Sequence, residues 1–135
     1  MRDPNAGLGA MLARSARRRC PRCGSPGAFE SWSTLRDWCP GCGFAFERES
    51  GYWVGAMIIN TTVTFGLFIM MMVGWAVAAW PDVPWTALLV TGLVVMLVVP
   101  IAFYPWSKSF WMAIELSYHQ LEPEEREAAA RRAAG

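Results

Sequence analysis

From Gly51 to Ser107 the chain carries a single formal charge, Asp82. A stretch of that length without charged residues cannot form the surface of a water-soluble domain. It divides at Pro81-Asp82-Val83-Pro84, where two prolines in four residues cannot continue a helix. The run before it, Tyr52 to Trp80, and the run after it, Trp85 to Trp106, are each long enough to cross a hydrocarbon layer of ~30 Å at ~1.5 Å per residue. Trp53 and Trp75 lie ~33 Å apart along such a helix, and Trp85 and Trp106 ~32 Å, near the spacing of the two interfacial aromatic belts. The short connection makes the two helices antiparallel neighbours. Only 17% of the residues are charged, below the ~25% of soluble domains, and the shortfall is concentrated in this block.

The basic residues set the expected orientation. Arg2, Arg14, Arg17, Arg18, Arg19, Arg22, Arg36 and Arg48 precede the first span, Lys108, Arg126, Arg131 and Arg132 follow the second, and the turn between has none. Positive residues are retained on the cytoplasmic side, so both termini are expected there, with the protein multi-pass in a bacterial inner (plasma) membrane. No removable leader is expected, because the weakly apolar Leu8–Ala13 runs into Arg14 and then Arg17-Arg18-Arg19.

All four cysteines fall in one pattern, Cys20-Pro-Arg-Cys23-Gly24 and Cys39-Pro-Gly-Cys42-Gly43, or C-x2-C-x15-C-x2-C. Each pair sets two sulfurs on one ion, proline stiffens the turn, and glycine tolerates the positive φ that lets backbone N–H groups approach sulfur. The expected fold is therefore a membrane α-helical hairpin of two transmembrane helices with a small N-terminal zinc-ribbon β module. Its expected divisions are a basic segment 1–19, the ribbon 20–50, the hairpin 51–106 with spans 52–80 and 85–106, and an amphipathic cytoplasmic helix and tail 107–135. The metal reading is structural Zn2+ on Cys20, Cys23, Cys39 and Cys42; iron on the same thiolates, as in rubredoxin, is the alternative. Arg18, Arg19 and Arg22 are placed to offset the thiolate charge.

Phe29, Trp32, Leu35 and Trp38 populate the loop between the two cysteine pairs. One reading makes them a small core beneath the metal; the other rests Trp32 and Trp38 on the headgroup layer or on a partner protein. In the first span Asn60 and Thr64 lie one turn apart, suited to helix–helix packing or to a shallow ligand site. Pro100 predicts a kink in the second span. Ser107 to Leu121 predicts an amphipathic interfacial helix or a bent continuation of the span, and His119 reads as a surface residue.

The basic segment, the paired CPxCG knuckles, the aromatic loop and the two spans resemble an uncharacterised bacterial family of small membrane proteins, a domain of unknown function. The resemblance runs from Ala10 to His119. It implies a two-span inner-membrane zinc-ribbon protein, with a link to the assembly of heme–copper respiratory oxidases.

The residues hold no Ser/His/Asp set, no phosphate loop and no metal site with an open position, so no enzyme is expected. The leading reading is a docking or assembly factor for a membrane complex. It would contact the lipid bilayer and a membrane-protein partner or further copies of itself through Trp32, Trp38, Asn60 and Thr64, with no nucleic acid. A membrane-tethered rubredoxin-like electron carrier and an oligomeric lipid or small-molecule transporter are the alternatives.

Overall fold

The computed structural model describes residues 6–135. Arg2, counted above in the basic flank, lies outside the described residues. Four helices follow in order: α1 (Leu8–Ala16), α2 (Val54–Ala78), α3 (Trp85–Tyr118) and α4 (Pro123–Ala134). The helices α2 and α3 are long and apolar enough to cross a membrane. They pack as an antiparallel pair: near one end Asn60 Nδ2 donates to the Pro100 carbonyl at 3.0 Å, and further along Gly92 lies against the Phe68 ring. A Cβ at Gly92 would come within 2.9 Å of that ring, so the absent side chain sets how closely the helices approach. Around this contact the pair presents large apolar side chains to its surroundings, Met57, Ile58, Met70, Val77, Leu89, Leu93 and Leu97 among them, each more than half exposed. An apolar surface of this size marks a face that meets a membrane or another protein.

The second helix does not stop at the expected edge of the span. It runs unbroken through Pro100 and Pro105 to Tyr118. From Pro105 onward its character changes. Pro105, Ser107, Ser109, Met112, Ala113 and Leu116 are buried, whereas Ile101 is 58% exposed. The last fourteen residues thus form a post ~21 Å long beyond the exposed apolar stretch. The N-terminal module is built around this post. Helix α1 buries Met11 and Ser15, and the Trp106 indole donates to the Ala16 carbonyl at 3.1 Å. The core joins Met11, Ala28, Phe44, Phe46 and Tyr52 to Met112, Ala113 and Leu116.

Two expectations are revised here. Among the described residues no β-strand forms; the expected β module is reduced to two isolated antiparallel bridges, Phe29–Leu35 and Trp38–Ala45. The chain between the cysteine pairs is spent on tight turns, and its hydrogen bonds close locally. In each knuckle the first cysteine N–H donates five residues ahead, Cys20 to the Ser25 carbonyl and Cys39 to that of Phe44. Gly24 and Gly43 donate back to the carbonyls of Cys20 and Cys39. Secondly, only part of the expected loop set packs on the core: Phe29 and Leu35 lie half-buried against it, and its centre is made by other aromatics. Phe44 and Phe46 are fully buried, while Trp32 and Trp38 are each 49% exposed. The post supplies the apolar partner that a metal loop of this size lacks.

Helix α4 docks on the second knuckle. It starts with Pro123 behind a capping box of Glu122 and Glu125, which satisfies the free N–H groups of its first turn. Ala129 is buried, and its carbonyl oxygen would lie 2.0 Å from a Cβ at Gly43. Only glycine allows this approach, and Gly43 also has φ 66°.

Candidate metal centre

The fold brings the sulfurs of Cys20, Cys23, Cys39 and Cys42 within 4.8 Å of one another. Cys20 and Cys42 Sγ are 3.9 Å apart, and Cys23 and Cys39 Sγ 3.6 Å. No disulfide joins them. Four thiolates at ~2.3 Å from one tetrahedral ion would have edges of ~3.8 Å, so the spacing fits a metal–thiolate centre. Each pair contributes one buried sulfur, Cys20 or Cys39, and one nearer the surface, Cys23 or Cys42.

Donors surround the sulfurs. The Ser25 hydroxyl lies 3.0 Å from Cys23 Sγ and 3.1 Å from Cys39 Sγ, and the Gly41 N–H points to Cys39 Sγ at 3.4 Å. A Cβ at Gly41 would strike the Ser25 hydroxyl, so glycine there lets the serine reach the cluster. Hydrogen bonding from Cys20 holds the Cys23 thiol far below its ordinary value and draws Cys39 down to about 6, while Cys20 and Cys42 are pushed up. The cluster shares protons because four adjacent sulfurs cannot all be charged without a cation; an ion binding there displaces those protons.

Near the knuckles, Arg14, Arg18 and Arg22 bond backbone carbonyls. Arg22 donates to the Cys42 carbonyl at 3.4 Å and so ties one knuckle to the other. Arg14, in α1, holds the first knuckle through the Pro21 and Arg22 carbonyls at 3.2 and 2.8 Å. Arg18 has φ 56°. Its guanidinium bonds the carbonyls of Ser31 and Trp32 and lies 4.4 Å from the centre of the Phe29 ring. His119, at the end of α3, is exposed and not part of the sulfur cluster.

The four residues expected to meet a partner are held in different ways. Trp38 lies beside the second knuckle with Arg132 of α4 6.0 Å above its ring. Trp32 is at the tip of a turn closed by Glu30 N–H to the Thr34 carbonyl at 2.9 Å. Asn60 bonds α3, and the buried Thr64 donates to the Asn60 carbonyl at 2.8 Å. Both bonds lie inside the hairpin; the Asn60 side-chain oxygen is buried without a partner among the described residues.

A second polar cluster was not anticipated. Arg48 donates from Nε and Nη2 to Glu125 at 2.8 and 2.7 Å, and from Nη1 to both Glu115 oxygens at 2.9 and 2.8 Å and to the His119 carbonyl at 3.0 Å. It ties the segment before α2 to both α3 and α4. Paired with these carboxylates, the guanidinium is held charged more firmly than usual, and Arg48 holds the Glu125 carboxyl below its ordinary range. Its partners lie 67 and 77 residues away, so the only local sign was a lone arginine between Glu47 and Glu49.

Residues 29–116 match the family described as Protein of unknown function (DUF983). The chain belongs to that family. The match takes in Cys39, Cys42 and both long apolar helices, and begins after Cys20 and Cys23. No curated protein and no solved structure matches the chain.

Proposed function

We infer that this DUF983 protein is a non-enzymatic, membrane-anchored metal–thiolate protein that docks a partner membrane protein. The observation that carries the metal reading is the sulfur spacing of 3.6 and 3.9 Å within one four-cysteine cluster. Four protein ligands complete a tetrahedral ion and leave it no position for substrate, which suits a structural Zn2+. The ion cross-links two knuckles that no strand holds, and its binding energy becomes folding energy for the module. Metal analysis of the purified protein is expected to give one zinc per chain and no visible absorbance. Stoichiometric iron with the red colour of ferric thiolate would replace this reading with the electron carrier.

Docking is assigned to the face that carries Trp38, a large half-exposed ring on a rigid support, the kind of residue favoured at binding hot spots. Heme–copper oxidase assembly, implied by the family resemblance, is the first complex to test. Trp38→Ala should reduce recovery of the partner from mild detergent by tenfold or more, for an anchor contributing ~2 kcal/mol, with zinc retained. Unchanged recovery with zinc retained would sink the docking reading. Both termini are placed in the cytoplasm of a bacterial inner membrane, on the strength of the basic flanks. A cysteine introduced at Asp82 should then react with an impermeant reagent from outside the cell.

A further inference from the structure

We propose that the turn bearing Trp32, together with Arg17 and Arg19, is a binding site for the headgroup layer of an anionic bilayer. It is independent of docking through Trp38. The argument begins with where the apolar surface ends. On α2, Val54 and Met57 are 57% and 62% exposed, whereas Tyr52 just before them is buried. On α3, Ile101 is 58% exposed and Pro105 is buried. The hydrocarbon boundary therefore passes near Trp53 and Tyr104–Trp106, the residue types that favour it.

Three contacts bring the N-terminal module to that level. The Trp106 indole bonds Ala16. Lys108 Nζ lies over the rings of Trp53 and Tyr104, at 5.1 and 4.7 Å, and donates to the Ser33 carbonyl at 3.2 Å. Arg18 bonds the Trp32 carbonyl and lies 5.7 Å from the Trp106 ring. The Trp32 turn is thus anchored to the boundary residues themselves, with its indole half exposed. Trp38 is anchored instead to α4, which joins α3 through Arg48 and Glu115, a residue ~15 Å further along the post than Pro105.

Charge complements this placement. Arg17 is exposed and directly follows Ala16; neither it nor Arg19 has an ion-pair partner among the described residues. Arg18 and Lys108 sit at the boundary residues, and Arg17 and Arg19 adjoin Arg18 in the chain, against one carboxylate on the turn, Glu30. A half-exposed indole on a turn held by Arg18, with Arg17 and Arg19 next to it in the chain, suits a phosphodiester headgroup and the glycerol region beneath it.

The test uses the full chain in vesicles of three parts phosphatidylethanolamine to one part phosphatidylglycerol. The photoreactive residue p-benzoylphenylalanine replaces Trp32, Trp38 or Ile101 in turn, and irradiated protein is weighed intact. Ile101 faces the hydrocarbon and certifies the chemistry. Position 32 is expected to yield phospholipid adducts as position 101 does, and position 38 none. The adducts at 32 should be enriched in phosphatidylglycerol, and Arg17→Gln with Arg19→Gln should lower the enrichment by about fivefold for each residue. Adducts at 32 to protein, none at 32, or equal lipid adducts at 32 and 38 would overturn the proposal. So would absent enrichment, or enrichment that survives the double change. Thr34, exposed on the same turn, is the second attachment point if replacing Trp32 releases the metal.

Discussion

The sulfurs of Cys20, Cys23, Cys39 and Cys42 lie within 4.8 Å of one another, so removing one leaves a tetrahedral ion a ligand short. Any single Cys→Ser is expected to reduce bound metal by at least tenfold, read by elemental analysis, because a hydroxyl is a poor ligand for a soft thiolate centre. Gly43 carries a different kind of constraint. Gly43→Ala meets the Ala129 backbone and a positive φ together, which should destabilise α4 docking by about 1–3 kcal/mol. Faster amide exchange across 123–134 would report it. Gly9→Ala is the control: nothing lies within 4 Å of a Cβ there, and alanine is the better helix former. Equal effects of the two changes would contradict the close approach of Gly43 to α4.

The elements are joined by few polar links, and each can be cut separately. Arg48 is 11% exposed in its side chain and Glu125 33%. Arg48→Met leaves Glu115 and Glu125 without their cation and should loosen α4 by about 2 kcal/mol. The same link gives α4 docking a pH dependence. The Glu125 carboxyl is lowered by Arg48, so its contribution is complete above the ordinary glutamate range. It is lost as pH falls through the lowered folded value. Limited proteolysis at the α3–α4 junction should therefore accelerate on acidification in the parent, and change less in Arg48→Met. Within the membrane pair, Asn60→Leu removes one bond to the Pro100 carbonyl and should cost only ~0.6 kcal/mol. Gly55→Ala would thrust a methyl to 2.2 Å from the Trp111 ring, at the junction of hairpin and post, and should cost more, about 1–3 kcal/mol. Reversible unfolding in detergent would rank them; the reverse order would mean that the polar bond, not the close packing, holds the pair.

At the scale of the whole molecule, two parts meet on one helix. The apolar length of α3 pairs with α2, and the post at its end carries α1, the knuckles and Tyr52. The coupling is one-sided. Chelation should unfold the cysteine module, where knuckles without strands depend on the ion, yet leave α2 and α3 inserted. Exchange measurements should then show protection lost across 20–46 and kept across 58–100. Loss of protection in both regions together would show that the hairpin depends on the module as well.

What the sequence determined by itself was local. Charge-free runs of sufficient length, a proline-broken turn between them and cysteines at fixed spacing each state their consequence within about thirty residues of chain. Hydrocarbon tolerates no unpaired backbone, and C-x2-C turns converge on one point. The family signature was legible for the same reason. Long-range packing decided the rest. Phe44 and Phe46, rather than Trp32 and Trp38, became core because the post of α3 lies beside them, and nothing near residue 44 says so. The same post carries Arg48's partners Glu115 and His119, and Glu125 stands on α4 just beyond it. Pro100 and Pro105 both lie inside one continuous helix, so neither ends α3. Periodicity and spacing register what a residue does to its own turn of chain. Which apolar face a short metal loop leans on depends on an element sixty residues further along, and only the folded structure brings it there.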